Sequence, residues 1–180
     1  MISIGDEMKH ELITDFLTYA DQLLQEASFQ SMEAFIQHGS ISCYQHSIAV
    51  AYYSFYFIQR LHIHCDEKAL IQGALLHDYF LYDWHTDEAW HKWHGFRHPN
   101  FALNNALRDF QISEIEQEII KKHMWPLTLI PPTNREAWIV NGIDTLSSFI
   151  EILGKHRPFH IVAKHWFTPY EHIQKLIDKQ

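Results

Sequence analysis

Residues 69–84 read ALIQGALLHDYFLYDW, and the pair His77-Asp78 that closes the apolar run decides how the rest of the chain is read. Ala69, Leu70, Ile71, Ala74, Leu75 and Leu76 recur at the spacing of a buried helix. A carboxylate at the end of such a run is strongly disfavoured unless something engages it. Neutral imidazole and carboxylate are both metal ligands, so one ion satisfies both residues. Working outward, His46 lies upstream, and His98, His123 and Asp144 lie downstream, as further candidate ligands.

The same three- and four-residue recurrence runs through almost every segment, and no run shows sustained alternation. This predicts an all-α fold, a single-domain helical bundle over residues 1–180. A first helix is expected over residues 8–26, with Leu12, Phe16, Tyr19 and Leu23 on one face. A short turn or helix over residues 31–37 is expected to end at Gly39. Ser42 and Gln45 form a capping box that opens a long helix to about residue 61. Asp66 caps the helix that carries His77, and Gly73, one turn earlier, leaves room for another helix to approach. Pro99 fits the first position of a helix through about residue 109. Ser113 with Glu116, and Thr133 with Glu136, form two further capping boxes. The helix after Ser113 ends near Met124, before Pro126, and the helix after Thr133 carries Asp144 and stops at Gly154. Thr168 and Pro169 open a last helix. The segment 79–97 is the least regular and is dense in aromatic residues and His, as long functional loops often are.

The net charge is −8 with His neutral, which lacks the electrostatic footprint of a general nucleic-acid binder. Cys43 and Cys65 are too few for a disulfide framework and read as reduced thiols of a cytoplasmic protein. The first twelve residues carry acidic groups and no apolar core of a signal peptide. The longest strongly apolar stretch, about residues 48–58, is too short to span a bilayer. No membrane association is expected, and the sequence does not specify an oligomer. Of the 15 histidines, His10, His38, His156, His160, His165 and His172 fall outside any constellation and read as surface residues.

The order of the remaining candidates resembles the HD-domain superfamily of metal-dependent phosphohydrolases. That family carries a His, then a His-Asp pair, then a later Asp, on the helices of an α-bundle. Here the matching residues are His46 in YQHSIAVA, His77-Asp78 in ALLHDYFLYDW and Asp144 in VNGIDTLS. The resemblance covers a core of about residues 42–152. Some members add two histidines that hold a second metal. His98 in HPNFALNNA and His123 in IIKKHMWPLT take those places. The resemblance implies one ion held by His46, His77, Asp78 and Asp144, and a second held by His98 and His123 with Asp78 bridging. The pattern is most similar to the two-metal branch that includes bacterial diadenosine tetraphosphate hydrolases. His94, four residues before His98, is the competing ligand if that helix starts earlier.

Mixed imidazole and carboxylate ligation suits one or two ions of Fe, Mn, Zn or Ni better than Ca. Ions so placed lower the pKa of a bound water and stabilise charge on an attacked phosphorus. The expected function is hydrolysis of a small phosphorylated substrate, a nucleotide or other phosphoester. Two other functions fit the same ligands: a di-iron oxygenase of the HD superfamily, or a non-catalytic module that binds a metal or nucleotide. Arg97, Lys122 and Arg135 are candidates for phosphate contacts, the alternative being solvated surface charges. Asp83 and His85 are candidate proton relays. Trp84, Trp90 and Trp93 could stack on a nucleobase or form a packing lid. Many HD enzymes place a Lys a few residues after the HD pair and another after the last Asp. Tyr82, Asp83 and Thr145 stand there in this chain, so the phosphate contacts depart from the family pattern.

Overall fold

Eight α-helices and one small hairpin make up the computed structural model, which describes residues 4–39, 41–83, 94–154, 165–166 and 168–177. The helices are α1 (Ile4–Leu24), α2 (Ala27–Gln30), α3 (Cys43–Leu61), α4 (Glu67–Leu76), α5 (His94–Asp109), α6 (Glu114–Lys122), α7 (Arg135–Leu153) and α8 (Thr168–Ile177). A 3-10 turn at Ser31–Ala34 and an antiparallel pair, β1 (Ile36–His38) and β2 (Ile41–Ser42), join α2 to α3. The fold is mostly all-α, as the periodicity predicts.

Side-chain caps set the starts of α3, α4, α6 and α7. The Ser42 hydroxyl accepts from the Gln45 amide at 3.1 Å, and Gln45 Oε1 accepts from the Ser42 amide at 3.2 Å, so both halves of the expected capping box are present. Asp66 accepts from the Ala69 amide at 2.9 Å and starts α4. Ser113 and Glu116 close a second box at the start of α6.

Four expectations need correction. The turn expected over residues 31–37 stops at Ala34, and Ile36–His38 pairs with Ile41–Ser42 as a hairpin; strands of two and three residues are too short to show alternation. Gly39 turns it with φ 65°, a conformation that favours glycine. Helix α5 starts at His94, so Pro99 lies inside it and not at its first position. Pro99 removes the N–H that would reach the Gly95 carbonyl and crowds that carbonyl, and the turns through Asp109 outweigh the loss. The N-cap of α7 is Asn134, which accepts from the Ala137 amide at 2.7 Å. Thr133 is engaged elsewhere: its hydroxyl donates to Glu118 at 2.7 Å. Finally, His77-Asp78 does not lie within α4. His77 is the C-cap, and Asp78 follows in the turn.

Helices α3, α4, α6 and α7 pack in a closed ring, α3 on α4, α4 on α6, α6 on α7 and α7 back on α3. Helix α3 is buried through most of its length, from Ile48 and Val50 to Phe55 and Ile58, against Leu70, Ile71, Ala74 and Leu75 of α4. Helix α1 closes one side with Ile13, Phe16, Ala20, Leu23 and Leu24, while Leu12 and Tyr19 of the expected face are half-buried.

The α4–α6 contact depends on Gly73. A Cβ at that position would lie 2.6 Å from Ile119 Cδ1 and 3.1 Å from Ile119 Cβ. Gly73→Ala would gain about 1 kcal/mol of helix propensity, against an overpacking cost of about 1–3 kcal/mol. Because the clash reaches the Ile119 Cβ, which cannot swing aside, a net loss of stability is expected in urea unfolding. A Gly73→Ala chain as stable as the original would show that α4 and α6 can part freely.

Candidate metal centre

The ring of helices brings six side chains to one end. His46 projects from the first turns of α3, His77 and His123 are the C-caps of α4 and α6, and Asp144 comes from the middle of α7. His98 comes from α5, which packs on α6. All six, Asp78 included, are buried. Two of the donors sit at helix C-termini, where the free carbonyls favour a cation.

Asp78 divides the cluster. Its Oδ2 lies 3.4 Å from His77 Nε2 and 3.7 Å from His46 Nε2. Its Oδ1 lies 3.1 Å from His98 Nε2 and 3.6 Å from His123 Nε2. Asp144 Oδ1 completes the first half, 3.1 Å from His46 Nε2 and 3.7 Å from His77 Nε2.

Second contacts fix the imidazoles. His77 Nδ1 donates to the Ala74 carbonyl at 2.7 Å, and His123 Nδ1 donates to the Ile120 carbonyl at 2.8 Å. Each ring therefore turns its Nε2 inward. Among the described residues, His77 Nε2 and Asp78 Oδ1 are buried and make no hydrogen bond. Buried polar atoms without partners are rare, and these two belong to adjacent donors of one cluster. An ion about 2.1 Å from each donor sets neighbouring donors about 3.0–3.4 Å apart for angles between square and tetrahedral. Most separations here match or slightly exceed that window; the His98–His123 pair, 2.7 Å between Nε2 atoms, is shorter. The donor chemistry and the orphaned atoms fit a transition-metal ion, and two groups of three donors lie close enough to hold one: His46, His77 and Asp144, and His77, Asp78 and His123.

The electrostatics point the same way. Burial works against a proton on His77, but Asp78 and Asp144 outweigh it and push its pKa up to about 10. Burial likewise opposes a charge on His46, and Glu151 and Asp144 raise its pKa well above the usual value. Burial would raise Asp78 and Asp144, yet the neighbouring imidazoles hold both carboxyls well below the ordinary range. His123 goes the other way: burial and the adjacent His98 and His77 press it down to about 3, which keeps it neutral and able to ligate. The first half thus attracts a cation, and in the second a neutral His123 shares its Nε2 with His98 Nε2 at 2.7 Å.

Three supporting residues carry no signal in the motif. Glu151 Oε1 accepts from His46 Nδ1 at 2.8 Å. It stands two turns after Asp144 on α7, so helical spacing could have flagged it. Asn141, one turn before Asp144, donates to the carbonyls of His123 and Trp125 and ties the end of α6 to α7. Gln37 on β1 donates to Asp78 Oδ2 at 2.5 Å. Carboxylate–histidine pairs of the Glu151 kind orient a ligand and raise its basicity. Glu151→Leu is expected to weaken the first ion about 10–100-fold, read by metal titration, with Glu151→Gln milder because an acceptor for Nδ1 remains. Equal affinities in all three chains would remove Glu151 from the centre.

The other expected residues are less central. Arg97 is exposed on α5, immediately before His98. Lys122 pairs with Glu118 at 3.4 Å rather than with a ligand. Arg135 donates to the His64 carbonyl at the far end of α7. Asp83 is exposed. Tyr82 packs on Phe80, whose ring also meets His98, so Tyr82 borders the centre where the family pattern has Lys. His85, Trp84, Trp90 and Trp93 lie outside the described residues, as does the side chain of His94. A cavity of about 320 Å³ lies elsewhere, lined by Gln22, Lys68, Gln72 and Glu116 among others, and contains none of the six ligands. No helix among the described residues is long and apolar enough to cross a membrane.

No family model, curated protein or solved structure matches the chain.

Proposed function

We propose that the chain is a metal-dependent phosphohydrolase of the HD type that cleaves a small phosphorylated substrate, a nucleotide or other phosphoester, with two transition-metal ions. The observation that carries this reading is the division of Asp78. One oxygen faces His46, His77 and, across them, Asp144; the other faces His98 and His123. When bound, a pair of ions supplies Lewis acidity and a nucleophile at neutral pH.

The chain's own residues would do the rest. His46, His77, Asp78 and Asp144 hold one position, and His98 and His123 with Asp78 hold the other. The Ala74 and Ile120 carbonyls and Glu151 keep the imidazoles aimed. Arg97, exposed immediately before His98, would meet a phosphoryl group, and Asp83 with His85 would move protons to the leaving group. Lys122 would have to leave Glu118 to join them. Fe, Mn, Zn and Ni all suit the donor set.

The test is elemental analysis of protein purified without chelator, followed by a hydrolysis panel of nucleotides, dinucleoside polyphosphates and simple phosphodiesters. Two equivalents of one transition metal with release of phosphate or a nucleoside monophosphate are expected. A fully loaded protein that cleaves nothing but consumes dioxygen would replace hydrolysis with oxygenase chemistry. A protein that takes up no ion even after reconstitution would leave the binding-module reading.

A further inference from the structure

Gln37 is buried on β1 beside the centre and is not itself a candidate ligand. Its Nε2 donates to Asp78 Oδ2 at 2.5 Å, and its Oε1 accepts from the Cys43 thiol at 3.3 Å. An ionised carboxylate only accepts, so the amide nitrogen must face Asp78. That turns the amide oxygen to Cys43, whose thiol donates to it. The two neighbours together leave one orientation for the amide.

Asp78 needs such a support. The terminal torsion of an Asp side chain is broad and two-fold. Nothing intrinsic to it keeps Oδ1 on His98 and His123 while Oδ2 stays on His46 and His77. We propose that Gln37, held in place by Cys43, is the positioning residue that keeps the Asp78 carboxylate spanning both halves, and so determines that the chain binds a second ion. This rests on the metal-centre reading above. The consequence is one-sided. If Asp78 turns away from His98 and His123, the first half keeps an Asp78 oxygen beside that of Asp144. The second half is left with two imidazoles and loses its anionic donor.

The test is stepwise Co(II) titration of the full chain, followed by absorbance and by magnetic coupling in EPR, with elemental analysis after dialysis. The wild type is expected to bind two ions. Gln37→Leu should keep the first and weaken the second about 10–100-fold, the range for loss of an outer hydrogen bond to a ligand. Cys43→Ser retains a donor to the amide oxygen and should match the wild type, whereas Cys43→Ala should weaken the second ion alone. In the Gln37→Leu chain, Cys43→Ala should add nothing. This Ser-versus-Ala pattern also carries the test if Gln37→Leu fails to fold. Second-ion affinity and coupling unchanged in Gln37→Leu, or identical in the two Cys43 variants, overturn the inference while the metal centre stands. A wild type that binds no ion removes the centre itself, and the role of Gln37 with it.

Discussion

Asp78→Asn is expected to empty both metal positions and reduce the proposed hydrolysis at least a thousandfold, about 4 kcal/mol of transition-state stabilisation. The carboxylate turns one oxygen to each half, with Oδ2 3.4 Å from His77 and Oδ1 3.1 Å from His98. Asn keeps the volume but removes the negative charge and turns one oxygen into a donor group that repels an ion. The contrast is His123→Gln, which touches only the second half. It should retain one equivalent of metal and lose the other. Elemental analysis of the two variants beside the wild type reads the difference directly. Equal metal content in Asp78→Asn and His123→Gln would contradict the bridging arrangement.

Stripping the metal should lower Tm by about 8–16 °C when free ion stands near a thousandfold above its Kd. Selective binding to the native state then contributes about 4 kcal/mol, and each kcal/mol moves a chain of this size by about 2–4 °C. The loss should grow with pH. In the metal-free protein His77 titrates near 10, against about 6.5 in an unfolded chain. A raised imidazole stabilises the fold fully below the unfolded value and ceases to do so as pH rises through the folded one. His46 shifts in the same direction. Between pH 6.5 and 10 the stripped protein therefore loses the protons that stand in for the ion, and Asp78 and Asp144 face each other's charge uncompensated. Metal competes with those same protons, so its affinity rises over the same range. Differential scanning calorimetry with and without chelator at pH 6.5 and 8.5 measures both trends. A gap in Tm that is absent, or that shrinks as pH rises, would count against ions at this cluster.

Much of the architecture was legible because it is local. The Ser42–Gln45 and Ser113–Glu116 boxes act over three residues, and the structure forms both. Gly73 announced a close helix approach, and Ile119 occupies the space. Local signals failed where a distant group competed. Thr133 looked like a cap, but Glu118 of α6 takes its hydroxyl and leaves the cap to Asn134. Pro99 looked like a helix start, yet α5 begins five residues earlier. The hairpin at residues 36–42 left no pattern, and it carries Gln37.

The candidate ligands were named from residue type and order, and the packing of α3, α4, α5, α6 and α7 brings all six together. What the sequence by itself determined was the helical class, half of the helix starts and the candidate donors, because periodicity, caps and ligand chemistry reside in a few neighbouring residues. Only the tertiary structure decided how Asp78 splits its oxygens and which groups hold the ligands in place. Gln37 meets Asp78 across 41 positions, and Glu151 meets His46 across 105. Contacts at such separations are set by how whole helices pack, and no spacing within one segment encodes them.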